Sequence, residues 1–165
     1  MSGLLQQELK KRNPFESREQ EVYLNLLRTM DLLARDFDEL MRREGISQTG
    51  YNVLRILRGV KLGAEGGSGA LPCGEVGGRL VTREPDVTRL LDRLEKRSLI
   101  VRKRCEKDRR VVYAAITDGG MELLARLDEP TMALHKRQLS HMGEEGLSKL
   151  IELLEAARAG CGRGA

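Results

Sequence analysis

The chain has 165 residues, 40% of them hydrophobic, but only two Phe, three Tyr and no Trp. That suits one domain with a core of Leu, Val, Ile, Met and Ala, and favours packed helices over a β-sandwich. The formal net charge is +4. Residues 79–110 carry twelve Lys/Arg against six Asp/Glu, while the rest of the chain has seventeen against nineteen. All the net positive charge therefore lies in one segment, which reads either as a solvated face or as a footprint for a polyanion.

No apolar run approaches membrane-spanning length, and MSGLLQQELKKR lacks the apolar stretch of a signal peptide. Cys73, Cys105 and Cys161 are odd in number and far apart. They fit reduced thiols, so a cytoplasmic protein is expected. His135 and His141 form no HxxxH pair and there is no CxxC. No metal site, no cofactor and no enzyme is expected, since no Ser-His-Asp or carboxylate-pair signature stands in the chain either.

In chain order, residues 1–14 read as a flexible start that breaks at Asn13-Pro14. Ser17 and Gln20 form a capping signature for a long helix to about Arg43. Its apolar positions Tyr23, Leu26, Met30, Leu33, Phe37 and Leu40 make a heptad-like seam, widened by Leu27, Ala34 and Met41. Gly45 ends it. Ser47 caps a second helix over 47–58, with Tyr51, Leu54 and Leu57 inward. Residues 59–70 form a Gly-rich loop without the Gly-Lys-Ser/Thr of a phosphate loop.

A short helix over 72–80 opens with Pro72 and turns Val76 and Leu80 inward, with Gly77 placed for a close helix crossing. Thr82 is expected to cap the next helix, with Pro85 in its first turn and Val87, Leu90, Leu91 and Leu94 inward. Its other face carries Arg83, Asp86, Arg89, Arg93, Lys96 and Arg97. Two β-prone runs, 99–104 and 111–116, flank the charged loop CEKDRR and predict a hairpin. Thr117 caps a helix that Pro130 should kink or interrupt, and a final helix spans about 143–158.

The order predicts a mainly α chain holding a winged helix-turn-helix with a two-stranded β-wing. An α-helix fits the major groove of duplex DNA with its N-terminal residues toward base edges. Thr82, Arg83, Pro85, Asp86, Thr88 and Arg89 stand at that end, and Asp86 is also placed to cap the helix. Lys107, Arg109 and Arg110 at the hairpin tip can reach a neighbouring minor groove or phosphates. Arg93, Lys96 and Arg97 are as well placed to pair with Asp92 or Glu95 as to meet DNA.

The run Val87-Thr88-Arg89-Leu90-Leu91-Asp92-Arg93-Leu94-Glu95-Lys96-Arg97 resembles the recognition helix of the multiple antibiotic resistance regulator (MarR) family. Asp108-x-Arg110 and Ile116-Thr117-x-x-Gly120 resemble that family's wing and the start of its next helix. The resemblance covers about 15–158 and leaves 159–165 as a flexible tail. It implies a winged-helix repressor or activator of transcription, with DNA-binding residues at about 47–116. It implies a homodimer joined by helices at about 15–43 and 117–158, an inverted-repeat operator and an effector or oxidant that alters head spacing. It also implies that Arg110 enters the minor groove while Asp108 holds its guanidinium.

Tyr23, Phe37 and Tyr51 are candidates for an effector pocket, with ordinary packing as the alternative. The chain departs from the family in Ser98, where glycine is usual, in the long 59–70 loop and in the glycines of 72–80. It has no Cys near the start of the first helix. Cys105, beside Arg104 and Lys107, is the better candidate for a redox thiol, and Cys73 the weaker. A thiol sensor and a protein–protein adaptor are the alternative readings. His135 and His141 are expected at the surface.

Overall fold

The computed structural model describes residues 3–63 and 69–161. Helix α1 (Leu4–Glu8) falls in the segment expected to be flexible. It forms because Leu5 is buried and Glu8 lies 3.5 Å from Arg28 of the next helix. Helix α2 (Arg18–Arg43) begins as its capping signature predicts: Ser17 Oγ accepts from Gln20 N at 3.1 Å, and Gln20 Oε1 accepts from Glu16 N at 2.9 Å. Its seam divides along its length. Phe37 and Leu40 pack against the core and Met41 is fully buried, whereas Tyr23, Leu26 and Met30 face outward.

Helix α3 (Gln48–Leu62) is capped by Ser47 and runs four residues past the expected 58. Val60 packs against the core, and that burial outweighs the ~1 kcal/mol a helical glycine costs at Gly59. The expected Gly-rich loop shrinks accordingly, and 64–68 lie outside the described residues.

A third strand joins the two expected in the wing. Strand β1 (Leu71–Pro72) pairs antiparallel with β3 (Val112–Ile116), which pairs with β2 (Ile100–Arg104), in the order β1-β3-β2. A two-residue strand has no periodicity to read, and its partner lies some forty residues away. Pro72 is tolerated because β1 is an edge. The expected 72–80 helix is helix α4 (Cys73–Val76) followed by a 3-10 turn, Gly77–Arg79. A Cβ on Gly77 would lie 3.2 Å from Val87 Cγ2, so this glycine does admit a close crossing.

Helix α5 (Val87–Lys96) is capped by Asp86, not by Thr82: Asp86 Oδ1 accepts from Arg89 N at 2.9 Å. Pro85 sits just before the cap instead of in the first turn. Its ring disfavours helical geometry at Glu84, so the helix starts after it, and a carboxylate caps well. Leu90, Leu91 and Leu94 are buried against α3 and the sheet.

Arg102 binds the wing to α5. Its guanidinium donates to Asp92 at 2.6 Å and to Glu95 at 2.7 and 3.0 Å, and its backbone N–H donates to Glu95 at 3.0 Å. Of the two alternatives open for Arg93, Lys96 and Arg97, pairing with Asp92 or Glu95 does not occur. Strand alternation points Arg102 inward with Ile100, whereas the basic side chains of α5 point outward.

Between α5 and β2, Ser98 adopts φ +57°, the left-handed geometry that glycine fills in the resembling family. Thr117 crosses to it, donating Oγ1–H to Ser98 O at 2.7 Å and accepting from Gly120 N at 3.1 Å. Thr117 thereby caps helix α6 (Asp118–Leu139). Pro130 does not interrupt α6, because it removes only the bond to the Arg126 carbonyl while Leu127, Thr131 and Leu134 stay buried on either side. Arg58 of α3 holds α6 through Asp128 with two bonds of 2.7 and 2.8 Å. After a 3-10 turn (Ser140–Met142), helix α7 runs Gly143–Cys161, past the expected 158 and into the tail expected to be flexible. None of its residues is buried.

The crossing at Gly120 leaves no room for a side chain. A Cβ there would sit 2.3 Å from Leu99 O and 2.7 Å from Ile116 Cγ1. Gly120→Ala is expected to lower unfolding free energy by about 3 kcal/mol, read by urea denaturation. Gly74→Ala, with nothing within 4 Å, should raise it by about 0.5–1 kcal/mol in the same assay.

Hydrogen bonds from Arg102 hold the Glu95 carboxyl below its usual 4.5. A depressed folded pKa contributes stability above the unfolded value, and that stability is lost as pH falls through the folded one. Arg102→Met is therefore expected to lower Tm most near neutral pH. The gap to wild type should narrow below about pH 4 in thermal melts run across pH.

Candidate nucleic-acid interface

The N-terminal end of α5 is held by core packing on one side and open on the other. Its buried stripe of Leu90, Leu91 and Leu94 leaves Thr88 and Arg89 exposed, together with Thr82, Arg83, Pro85 and Asp86 ahead of it. The Asp86 carboxylate serves the cap, which draws its negative charge toward the helix backbone. Glu84 Oε1 accepts in turn from Asp86 N at 3.3 Å.

The wing loop between β2 and β3 closes through Val111 N to Asp108 O and Cys105 N to Val111 O, both 2.9 Å. Asp108 Oδ1 accepts from Arg110 N at 3.0 Å and from Arg110 Nε at 3.2 Å, and Oδ2 accepts from Arg110 Nη2 at 3.3 Å. The Arg110 side chain and then its backbone N–H hold the Asp108 carboxyl below the usual carboxylate range. The Arg110 side chain is nevertheless 91% exposed. One edge of its guanidinium is clamped and the rest faces solvent, as the resemblance implies.

Charge is sorted across residues 79–110. Asp92 and Glu95 are bound by Arg102, Asp108 by Arg110, and Asp86 by the helix it caps. Arg83, Arg89, Arg93, Lys96, Lys103, Arg104, Lys107 and Arg109 are all exposed and have no ion pair among the described residues. Four of the six acids in the segment are thus held by an arginine or a helix end, while Glu84 and Glu106 carry no ion pair among the described residues and the bases remain available. The sequence reading could count this imbalance but not the pairing that produces it.

The other candidates are distributed differently. Phe37 and Tyr51 meet edge to face at 5.6 Å, but Tyr23 stands fourteen residues up α2, about 21 Å along the axis, and is exposed. The structure therefore joins two of the three expected residues. His135, exposed as expected, stacks on Phe37 at 5.9 Å, a contact without a signature in sequence. His141 is exposed. Burial pushes the Cys73 thiol up despite the nearby Arg102, which leaves little thiolate at neutral pH. Cys105 is half-buried in the wing, and exposed Cys161 lies against Ala157 O at 3.3 Å. Among the described residues no helix is long and apolar enough to cross a membrane.

Similarity to other proteins follows the same lines. The MarR family model matches residues 67–112, a span that includes β1, α5, β2 and the wing loop. The HTH-type transcriptional regulator YkoM of Bacillus subtilis, itself uncharacterized, is 30% identical over 87% of this chain and 90% of its own. A MarR transcription factor from Planctomyces limnophilus is 39% identical, with a TM-score of 0.64 over 86% of this chain and 98% of that one. Sco3205 of Streptomyces coelicolor, a MarR family regulator solved in complex with DNA, shares the fold at TM-score 0.75 and 22% identity, over 93% of this chain and 94% of its own. With the same winged architecture and 30% and 39% identity across most of two such relatives, the chain belongs to the MarR family of transcriptional regulators.

Proposed function

We propose that the protein is a ligand-responsive repressor that binds a pseudo-palindromic operator as a homodimer in the cytoplasm. The observation that carries the reading is the set of exposed cations without ion pairs in the helix-and-wing segment 83–109. The same segment holds the exposed N-terminal end of α5 and an Arg110 clamped by Asp108.

In this reading Thr88 and Arg89 face base edges in the major groove, with Thr82, Pro85 and Asp86 beside them at the helix end. Arg83 contacts a phosphate, which positions without specifying. Arg110 enters the adjacent minor groove with Asp108 orienting it, and Lys107 and Arg109 meet flanking phosphates. Occupying the operator blocks transcription sterically.

Two uncovered apolar faces support the homodimer. Tyr23 is 62% exposed, Met30 55%, Ile151 56% and Leu153 59%, more than a monomer of this size needs to leave open. A second copy covering α2 and α7 would bury them. It would also set two heads about one helical turn (~34–36 Å) apart. Phe37 and Tyr51, at the junction of α2 with α3, offer aromatic contacts to a small-molecule effector. An effector bound there would favour a head arrangement that no longer fits the operator.

Selection from a random duplex library should enrich an inverted repeat. Arg110→Ala is expected to weaken the winning duplex by about 1–3 kcal/mol and relax preference at its minor-groove positions. Lys107→Ala should weaken all duplexes alike and reduce the log–log salt slope by about 1. Unchanged affinity in Arg110→Ala would remove the wing from the interface. The paired change Leu26→Glu and Ile151→Glu places charge in both apolar faces. Sedimentation should then show a monomer whose affinity for the inverted repeat falls at least roughly a hundredfold.

A further inference from the structure

Arg97 ends α5 at the opposite end from Asp86, about 16 Å along the helix. It does not join the acids of its own helix. Its Nη1 donates to Gly45 O at 2.5 Å and its Nη2 to Glu44 O at 3.0 Å, across more than fifty residues of sequence. Those carbonyls belong to the end of α2, where the helix dipole places negative charge. Gly45 has φ +69°, and a Cβ there would lie 3.4 Å from Arg97 Nη1, so the guanidinium lies against bare backbone. Glu44 also accepts from Arg126 Nη2 of α6 at 3.1 Å. Two residues on, Asp128 takes Arg58 of α3. The far end of α5 and the two long helices α2 and α6 thus meet at Glu44-Gly45.

We propose that Arg97 is a positioning residue that sets the angle of each DNA-reading head on the dimer scaffold, and thereby the half-site spacing the dimer accepts. This rests on the dimeric DNA-binding reading above. Arg97 holds no place among the base or phosphate contacts assigned there. It acts through α5, whose N-terminal end carries those contacts. A swing of the head about the end of α2 must break two charge-assisted hydrogen bonds and shift the partner of Arg126. Without Arg97 the head keeps its core and its reading surface but turns more freely.

The test uses the full chain and a series of duplexes carrying the selected half-sites at the selected separation, one base pair closer and one base pair farther. Wild type is expected to lose at least about tenfold in affinity on either side, equivalent to about 1.4 kcal/mol. Arg97→Ala should stay within about threefold of wild type at the selected separation, yet lose less than about threefold on either side. Arg97→Lys, with a single donor group, should fall between them.

An equally steep profile in Arg97→Ala would overturn the proposal. So would a uniform loss at every separation, which marks a phosphate contact instead. If Arg97→Ala fails to fold by thermal melt, Arg126→Ala must flatten the profile in its place or the proposal fails. A wild-type protein with no inverted-repeat preference would defeat the operator reading as well. A steep wild-type profile unaltered by either variant defeats only this one.

Discussion

The winged helix depends on one crowded crossing, where the chain leaving α5 passes the chain entering α6. Leu99 O lies where a Gly120 side chain would stand, and Thr117 Oγ1 joins both strands of the crossing. The turn through Ser98 must go left-handed to make that approach. Thr117 N also donates to Leu99 O at 3.1 Å, and Ile100 then faces Ile116 at the base of the wing. Helix α5, the wing and helix α6 therefore leave a single point in fixed directions. Three residues of ordinary chemistry achieve this because one has no Cβ, one has a short hydroxyl and one accepts a strained backbone.

From that point outward the head is organised by where its acids go. A segment with this much positive charge would repel itself if its carboxylates were scattered. They are drawn inward or along the backbone instead. Arg102 takes two of them and ties β2 to α5, Arg110 takes the one that shapes the wing tip, and the α5 N-terminus takes another. These contacts orient the elements more than they stabilise them, since exposed ion pairs contribute little. They leave an excess of exposed cations in the segment, which suits a phosphate-lined partner.

The scaffold helices show the opposite pattern. The head-facing end of α2 closes the core through Met41, while Tyr23 and Met30 at its far end and Ile151 and Leu153 of α7 are exposed. The two ends of one seam differ because only the last turns lie over α3 and α6. Ion pairs of Arg58 with Asp128 and of Arg137 with Asp36 hold these helices in register without filling that uncovered surface. A helix that buries so little against its own chain is marginal alone.

Much of this was legible because it is local. Heptad spacing placed α2, cap residues placed the starts of α2, α3 and α6, and alternation placed β2 and β3. Counting charge over 79–110 located the excess of cations, and the resemblance carried by Asp108-x-Arg110 implied a clamp that closes within three residues. What tertiary structure alone decided is set by partners distant in the chain. The two-residue strand β1 exists only because β3 is beside it, α3 outruns its glycine because Val60 has a core to enter, and α6 carries Pro130 because both sides are packed. The destination of Arg97 and the stacking of His135 on Phe37 belong to the same class. Sequence determines contacts within a turn or a hairpin, where geometry follows from spacing. Those made across fifty or a hundred residues depend on how the elements pack, and spacing carries no record of that.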